Sequence, residues 1–411
     1  MRLLAIFLVS IFLFPPVSSA TTLEDLIETA KKENPELKAI ESKVKAMEQR
    51  AIVEGSLDDP MFKVEFMDLP RDNPIPYPSN AMQTRYSLTQ TIPFPGRLGL
   101  KKAFTSSAAG QMAAELKAKE LEILSSIKTA YFDYLYDVKA IKTTTEIKGI
   151  IDALKKVAEI KYSTGLTPQQ DVIKAEVELS MIDTELAELE ARKDIAKINL
   201  NGLIGRKPDT PIGGEIEGYK HERPRLNVEE LSKTAFEKSP MLLAINSNIK
   251  EAEIGKELSK RKYSIDFMFE MAAVQREDRF PDTWNLMFGI TLPIWSGKYR
   301  GMQAEAGYSL ESAKASLENT RINILKELND EVRMLKATER ILELYEKSLA
   351  PMAEIGFKSS LVSYETGRVD FMTVIEGERT LKKTKIDYLR ATADYWQRLS
   401  EIEKIVGEEL M

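Results

Sequence analysis

The chain repeats itself once, at a spacing of about 200 residues. Leu23-Glu24-Asp25-Leu26 followed by Asn34-Pro35 returns as Val228-Glu229-Glu230-Leu231 followed by Ser239-Pro240. Thr91-Ile92-Pro93-Phe94 returns as Thr291-Leu292-Pro293-Ile294, and Tyr162-Ser163-Thr164-Gly165 as Tyr364-Glu365-Thr366-Gly367. The offsets are 205, 200 and 202 residues, in unchanged order. Solenoid repeats are far shorter, roughly 20–50 residues, so this is a tandem duplication of a whole unit. The units run 21–205 and 227–411, with a Gly- and Pro-rich connector at 206–226 carrying His221. Length alone would allow two or three unrelated domains. The duplication requires one fold used twice.

Each unit reads as helix, two strands, very long helix, turn, helix. No proline falls between Pro95 and Pro168, and helix formers dominate Arg97 to Tyr162. At ~1.5 Å per residue such a helix reaches about 100 Å, beyond any globular helix. Leu124, Tyr131 and Val138 alternate with Ile127, Tyr134 and Ile141 at heptad spacing. After the turn, Val172, Leu179, Leu186 and Leu200 share one seam, interrupted at Lys193. Ala175, Ile182, Leu189, Ala196 and Leu203 share the other, and the second unit repeats the spacing with Val374, Leu381, Tyr388, Tyr395 and Ile402. This spacing predicts antiparallel coiled-coil packing, with Leu179 and Leu186 buried. Gly149 and Pro351 are equivalent positions and predict a kink or break in both long helices.

The predicted strands have one apolar and one polar face. Met82, Tyr86, Leu88 and Ile92 alternate with Gln83, Arg85, Ser87, Thr89 and Thr91. Trp284, Leu286, Phe288, Ile290 and Leu292 alternate with Asn285, Met287, Gly289 and Thr291. Their partners are Met61 to Leu69 and Ser264 to Ala273, the latter with Ile265, Phe267, Phe269 and Met271 on one face. Strands of about ten residues in this pattern suit a transmembrane barrel with a wet lumen. Two hairpins on a soluble core would show the same alternation. In a barrel, the tip loops Asp68–Ser79 and Gln275–Pro281 would face outside the cell. Four strands cannot close a barrel, for which about eight are the minimum. Left open in lipid they would expose unpaired backbone, so several chains must pool them.

Met1-Arg2, the apolar run Leu3 to Phe14 and Ser18-Ser19-Ala20 have the layout of a signal peptide cleaved after Ala20. Twelve apolar residues are too few to span about 30 Å of hydrocarbon. Cysteine is absent and His221 is the single histidine, which removes thiolate nucleophiles, Cys/His zinc sites and histidine triads. With 58 Lys+Arg against 64 Asp+Glu, the chain lacks the basic excess of a nucleic-acid surface. No nucleophile–base pair, phosphate loop, cofactor motif or clustered metal ligand is present, so an enzyme is not expected. His221 reads as a solvated side chain. The 16 methionines, Met268, Met271 and Met287 among them, read as packing before they read as soft-metal thioether sites.

With these features in place, the chain resembles the TolC family of outer-membrane efflux proteins from Thr22 to about Gly407. The carriers are Asn34-Pro35, the passage Thr91-Ile92-Pro93-Phe94-Pro95-Gly96-Arg97, and the turns Tyr162–Val172 and Tyr364–Val374. Gln90 to Arg97 looks most like the heavy-metal branch. The resemblance implies a mainly α protein with transmembrane β. Long antiparallel coiled-coil helices would form a periplasmic α-barrel, and each chain would give four strands to a trimeric outer-membrane β-barrel. It implies a homotrimer in outer-membrane lipid, a periplasmic adaptor protein and an inner-membrane RND-type or ABC pump. Metal cations, drugs and secreted proteins are all cargo classes of this architecture. A type I secretion duct and a periplasmic coiled-coil scaffold without a barrel are the competing functions.

The resemblance also nominates residues. At the two turns, Thr164, Gly165, Leu166, Thr366, Gly367 and Arg368 match the adaptor-docking tips; the glycines also read simply as helix C-caps. Past the second turn, Glu376 matches an inward-facing acid that rings the closed pore, while Thr373 stands where some relatives carry Asp. A threefold ring of carboxylates would favour cations. The alternative for Glu376 is a solvated face charge. Glu378 is expected on the outer face of the same helix.

Overall fold

The computed structural model describes residues 22–410 except 73, 77, 79–80, 213–222 and 277–279. The segment 1–20 read as a signal peptide, His221, and parts of the connector and of both hairpin tips lie outside the described residues. In chain order the elements are α1 (Leu23–Glu33), α2 (Pro35–Glu54), β1 (Met61–Met67), β2 (Gln83–Ile92), α3 (Arg97–Ser163) and α4 (Gln169–Leu203). The same order then recurs as α5 (Val228–Lys238), α6 (Pro240–Arg261), β3 (Asp266–Arg276), β4 (Thr283–Thr291), α7 (Ser296–Leu344), α8 (Ala350–Glu365) and α9 (Phe371–Val406).

Local signals set the helix ends. Thr22 and Asp25 form a capping box at α1. Asn34 caps α2, its Oδ1 accepting from the amides of Glu36 and Leu37 at 2.8 and 3.1 Å, with Pro35 at the first helical position. Its Nδ2 donates to the carbonyl of Leu203 at 2.7 Å, tying the start of the unit to its end. Gly205 and Gly407 close α4 and α9 at φ +79° and +81°. A Cβ on Gly407 would stand 2.7 Å from the Lys238 carbonyl, so the close approach excludes larger residues.

The expected break at Gly149 is absent: α3 continues through it, and open space surrounds that glycine. Its partner position behaves differently. A π-helical turn, Tyr345–Leu349, separates α7 from α8 immediately before Pro351. Proline lacks the amide that an unbroken α-helix needs, whereas glycine keeps it.

The predicted coiled-coil seams hold in part: Leu124, Ile127, Tyr131, Leu200, Val374, Leu381, Tyr395 and Ile402 are buried as read. Val138 is exposed, and beyond it the buried line on α3 runs Ala140, Thr144, Ile147, Ile151, Leu154 and Ala158. On α4, Ala175, Ile182, Leu189 and Ala196 are buried as read, but Leu179 and Leu186 are only half-buried. The charged Asp171 and Glu178 take the buried positions beside them. Truncation to Ala should therefore cost about 2–5 kcal/mol at Ile182 and clearly less at Leu186, measurable by thermal unfolding of the two variants.

Two cores result. One gathers Leu26, Ile127, Tyr131, Leu200, Leu328, Tyr395 and Leu399 around the middle of the molecule. The other gathers Ile151, Leu154, Ile182, Phe357, Tyr364, Phe371 and Val374 near the turns, uniting α3, α4, α8 and α9.

Candidate functional site

At one end of the molecule, the four strands form a single antiparallel sheet in the order β1-β2-β3-β4. The duplicated units meet at β2–β3, where Leu88 lies opposite Met271 and Ile92 opposite Phe267. The register brings the apolar faces together: Phe62 opposite Leu88, Phe269 opposite Phe288, Met271 opposite Leu286. This face is exposed, at 64% for Phe62, 70% for Trp284 and 78% for Phe288. Thr84 and Gln90 are its polar members on β2. The opposite face carries Lys63, Glu65, Arg85, Ser87, Thr89, Glu270 and Asn285. Here Arg85 pairs with Glu270, which also accepts from Thr89 at 3.0 Å, and Glu65 lies 3.9 Å from Arg85. β1 and β4 each keep one edge unpaired within the chain. Among the described residues no helix is long and apolar enough to cross a membrane, and no group of metal-ligating side chains converges. Met271 belongs to the apolar face, whereas Met268 and Met287 belong to the other.

Where strand passes into helix, Arg97 joins the two units. Its Nη1 reaches both carboxylate oxygens of Asp266 at 2.6 and 2.7 Å. Its Nη2 donates to the carbonyls of Arg261 and Ser264 at 2.9 and 3.1 Å, and the Phe94 amide donates to Asp266 at 3.0 Å.

At the far end, both turns close in the same way. Gly165 and Gly367 each have φ +72°. Their amides bond to Tyr162 and Tyr364 at 3.0 Å, and those of Leu166 and Arg368 bond to Lys161 and Ser363 at 2.8 Å. This is the Schellman closure, which needs a left-handed residue at that point. Thr164, Gly165, Leu166, Thr366, Gly367 and Arg368 are all exposed, Leu166 at 76%. The tips are locked together by Lys161, whose Nζ donates to the Tyr364 carbonyl and lies 4.3 Å from its ring. Tyr364 in turn packs edge-on against Phe371, with ring centroids 5.4 Å apart.

Glu376 and Thr373 are both exposed on α9. Thr373 is engaged at the helix start, its amide and hydroxyl donating to Asp370 at 2.9 and 2.5 Å. Those two bonds, the hydroxyl's first, hold the Asp370 carboxyl below its usual range. Asp370, the N-cap, was not among the predicted site residues, although Asp three places before Thr at a helix start signals it. Glu378 corrects an expectation: it is fully buried, not on the outer face. Beside it Arg379 grips Glu178 and Lys382 reaches Glu185 at 2.9 Å, linking α9 to α4.

Comparison with known proteins agrees with this layout. Residues 26–206 match the family described as outer membrane efflux protein. The cobalt-zinc-cadmium resistance protein CzcC of Cupriavidus metallidurans is 24% identical over 330 residues, covering 79% of this chain and 78% of that protein. The solved structure of CusC superposes with a TM-score of 0.81 at 15% identity, covering 97% of this chain and 96% of that one. VceC of Vibrio cholerae gives 0.78 at 18% identity, covering 95% and 97%. Residues 26–206 thus resemble that family, and over nearly its whole length the chain has the fold of CusC and VceC.

Proposed function

We propose that the chain is one protomer of an outer-membrane efflux duct, a passive conduit rather than a catalyst. The observation that carries this reading is the exposed apolar face of a four-stranded sheet with both edges open. Lipid suits that face, and only neighbouring copies can satisfy those edges. Three copies would pool about twelve strands around the Arg85–Glu270 face as lumen. α3, about 100 Å long, would carry the wall through the periplasm. The segment 1–20 would direct export.

At the other end, the exposed tips Thr164, Gly165, Leu166, Thr366, Gly367 and Arg368 would dock a periplasmic adaptor, which couples the duct to an inner-membrane pump. Metal cations are the cargo favoured by the likeness to a cobalt-zinc-cadmium resistance protein. Three copies of Glu376 would ring the narrow end and attract cations, with Thr373 one turn nearer the tip.

Planar-bilayer recording of the detergent-purified protein tests the proposal. A trimer with a small, cation-preferring conductance that divalent ions block is expected. Glu376→Gln should weaken both the block and the preference, while Glu190→Gln on the exposed side of α4 should change neither. A protein that stays monomeric and soluble without detergent would support a scaffold instead. Identical behaviour of the two variants would reduce Glu376 to a solvated charge.

A further inference from the structure

Glu378 is a carboxylate side chain with no counterpart in the reading above. It is 0% exposed, and neither of its oxygens has a hydrogen-bond partner. A buried charge in that state is very costly unless paired or neutralised. The nearby cations on its own helix are committed elsewhere, Arg379 to Glu178 and Lys382 to Glu185. Those two acids, on α4, add repulsion. α3 and α8 present Ile151, Leu154, Phe357 and Tyr364 to this core. The cations that α3 and α8 carry in this stretch are engaged elsewhere, Lys148 with Asp183, Lys155 with Glu176 and Glu159, Lys156 with Asp152 and Lys358 with Glu354, while Glu146 and Glu365 add only negative charge. Space is closed too, since a Cβ on adjacent Gly377 would lie 2.9 Å from Ser360 Oγ and 3.6 Å from Phe357 Cα. A side chain without exposed surface cannot be reached by a neighbouring protomer. A proton is the counter-charge that fits.

We propose that Glu378 is a proton-operated latch at the periplasmic tip: as the neutral acid it lets α9 pack on α4 and α8, and its ionisation loosens that packing and frees the tip to open. Its place beside Glu376 makes this a control on the gate, a role that rests on the duct reading; the effect on packing does not.

The direction follows from the environment. Burial, opposed by Lys382 and aided by Glu178, raises the Glu378 carboxyl from 4.5 to about 7. Released to water, it would return to the ordinary carboxylate range. The packed tip therefore holds the proton more tightly than the loosened tip. Its advantage is whole below about pH 4.5, drains as the pH rises towards 7, and is fully lost above that.

Hydrogen–deuterium exchange of the purified full chain in detergent tests the latch. After correction for intrinsic exchange, opening of α9 near Glu378 should rise roughly 70-fold from pH 5 to pH 8. α5 and α6 should not follow. Glu378→Gln should abolish the rise, and Glu378→Leu provides the same readout should the Gln variant fold poorly. A flat profile in the unaltered protein, or an unchanged slope in a folded variant, would overturn the latch. Conductance of the reconstituted trimer should climb over the same interval. Conductance indifferent to pH alongside pH-dependent exchange would refute the link to the gate. Absence of conductance at every pH would count against the duct reading, and exchange would still decide the latch.

Discussion

Arg97→Ala is expected to abolish recovery of the assembled, membrane-inserted protein. The guanidinium, with its residue 9% exposed, satisfies a carboxylate and two carbonyls that belong to the other unit. Removing it leaves Asp266 with the Phe94 amide and strands the Arg261 and Ser264 carbonyls. Breaking such a pair from one side costs about 3–5 kcal/mol, a large share of a domain's stability. The loss falls at the junction of sheet and helices, so the angle between them goes with it. Arg97→Lys should rescue only partly, because an ammonium cannot grip two carboxylate oxygens and two carbonyls in one plane. Heat-resistant oligomer on a gel and outer-membrane yield measure the effect. Normal yield from the Ala variant would show that the junction is held by other contacts.

Lys128→Ala should have a comparable effect in the middle core. Lys128 and Glu403 form an ion pair with both side chains 6% exposed, between α3 and the end of α9. Glu403 also accepts from the Leu410 amide at 2.7 Å. The single variant takes one partner from a buried ion pair and should lose about 3–5 kcal/mol. The double variant Lys128→Met with Glu403→Leu should recover most of it, because apolar residues of similar volume often replace a buried pair at little cost. Thermal unfolding of the three proteins separates the cases. Equal losses in the single and double variants would mean that volume, not charge, governs the site.

The duplication, the strand faces and the tip glycines were legible because each is a local pattern: a recurring motif, a period of two, a glycine between two helices. The seam of α9 was half legible. Val374, Leu381, Tyr388, Tyr395 and Ile402 stand out as one apolar series. Its companion runs Phe371, Glu378, Lys385, Thr392, Leu399 and Val406, and the polar members in the middle disguise it. Extending the 3–4 spacing from Val374 through position 378 would have placed Glu378 inside. The same disguise hid Asp171 and Glu178 on α4 and favoured Leu179 and Leu186, which are greasier but half-buried. The Arg97–Asp266 clamp was illegible for another reason: its partners lie 169 residues apart, and no local period relates them.

The two unpaired edges of the sheet carry a genetic consequence. A ring of the kind proposed above would close only if every member offered a sound β1 to one neighbour and a sound β4 to the other. One chain with a blocked edge thus disables the partners it joins as well as itself. In a cell making normal and edge-blocked chains in equal amounts, only about one three-membered ring in eight would be free of a faulty copy. Defects in β1 and β4 should therefore behave as dominant, while defects at the tips, which leave the ring closed, dilute in proportion.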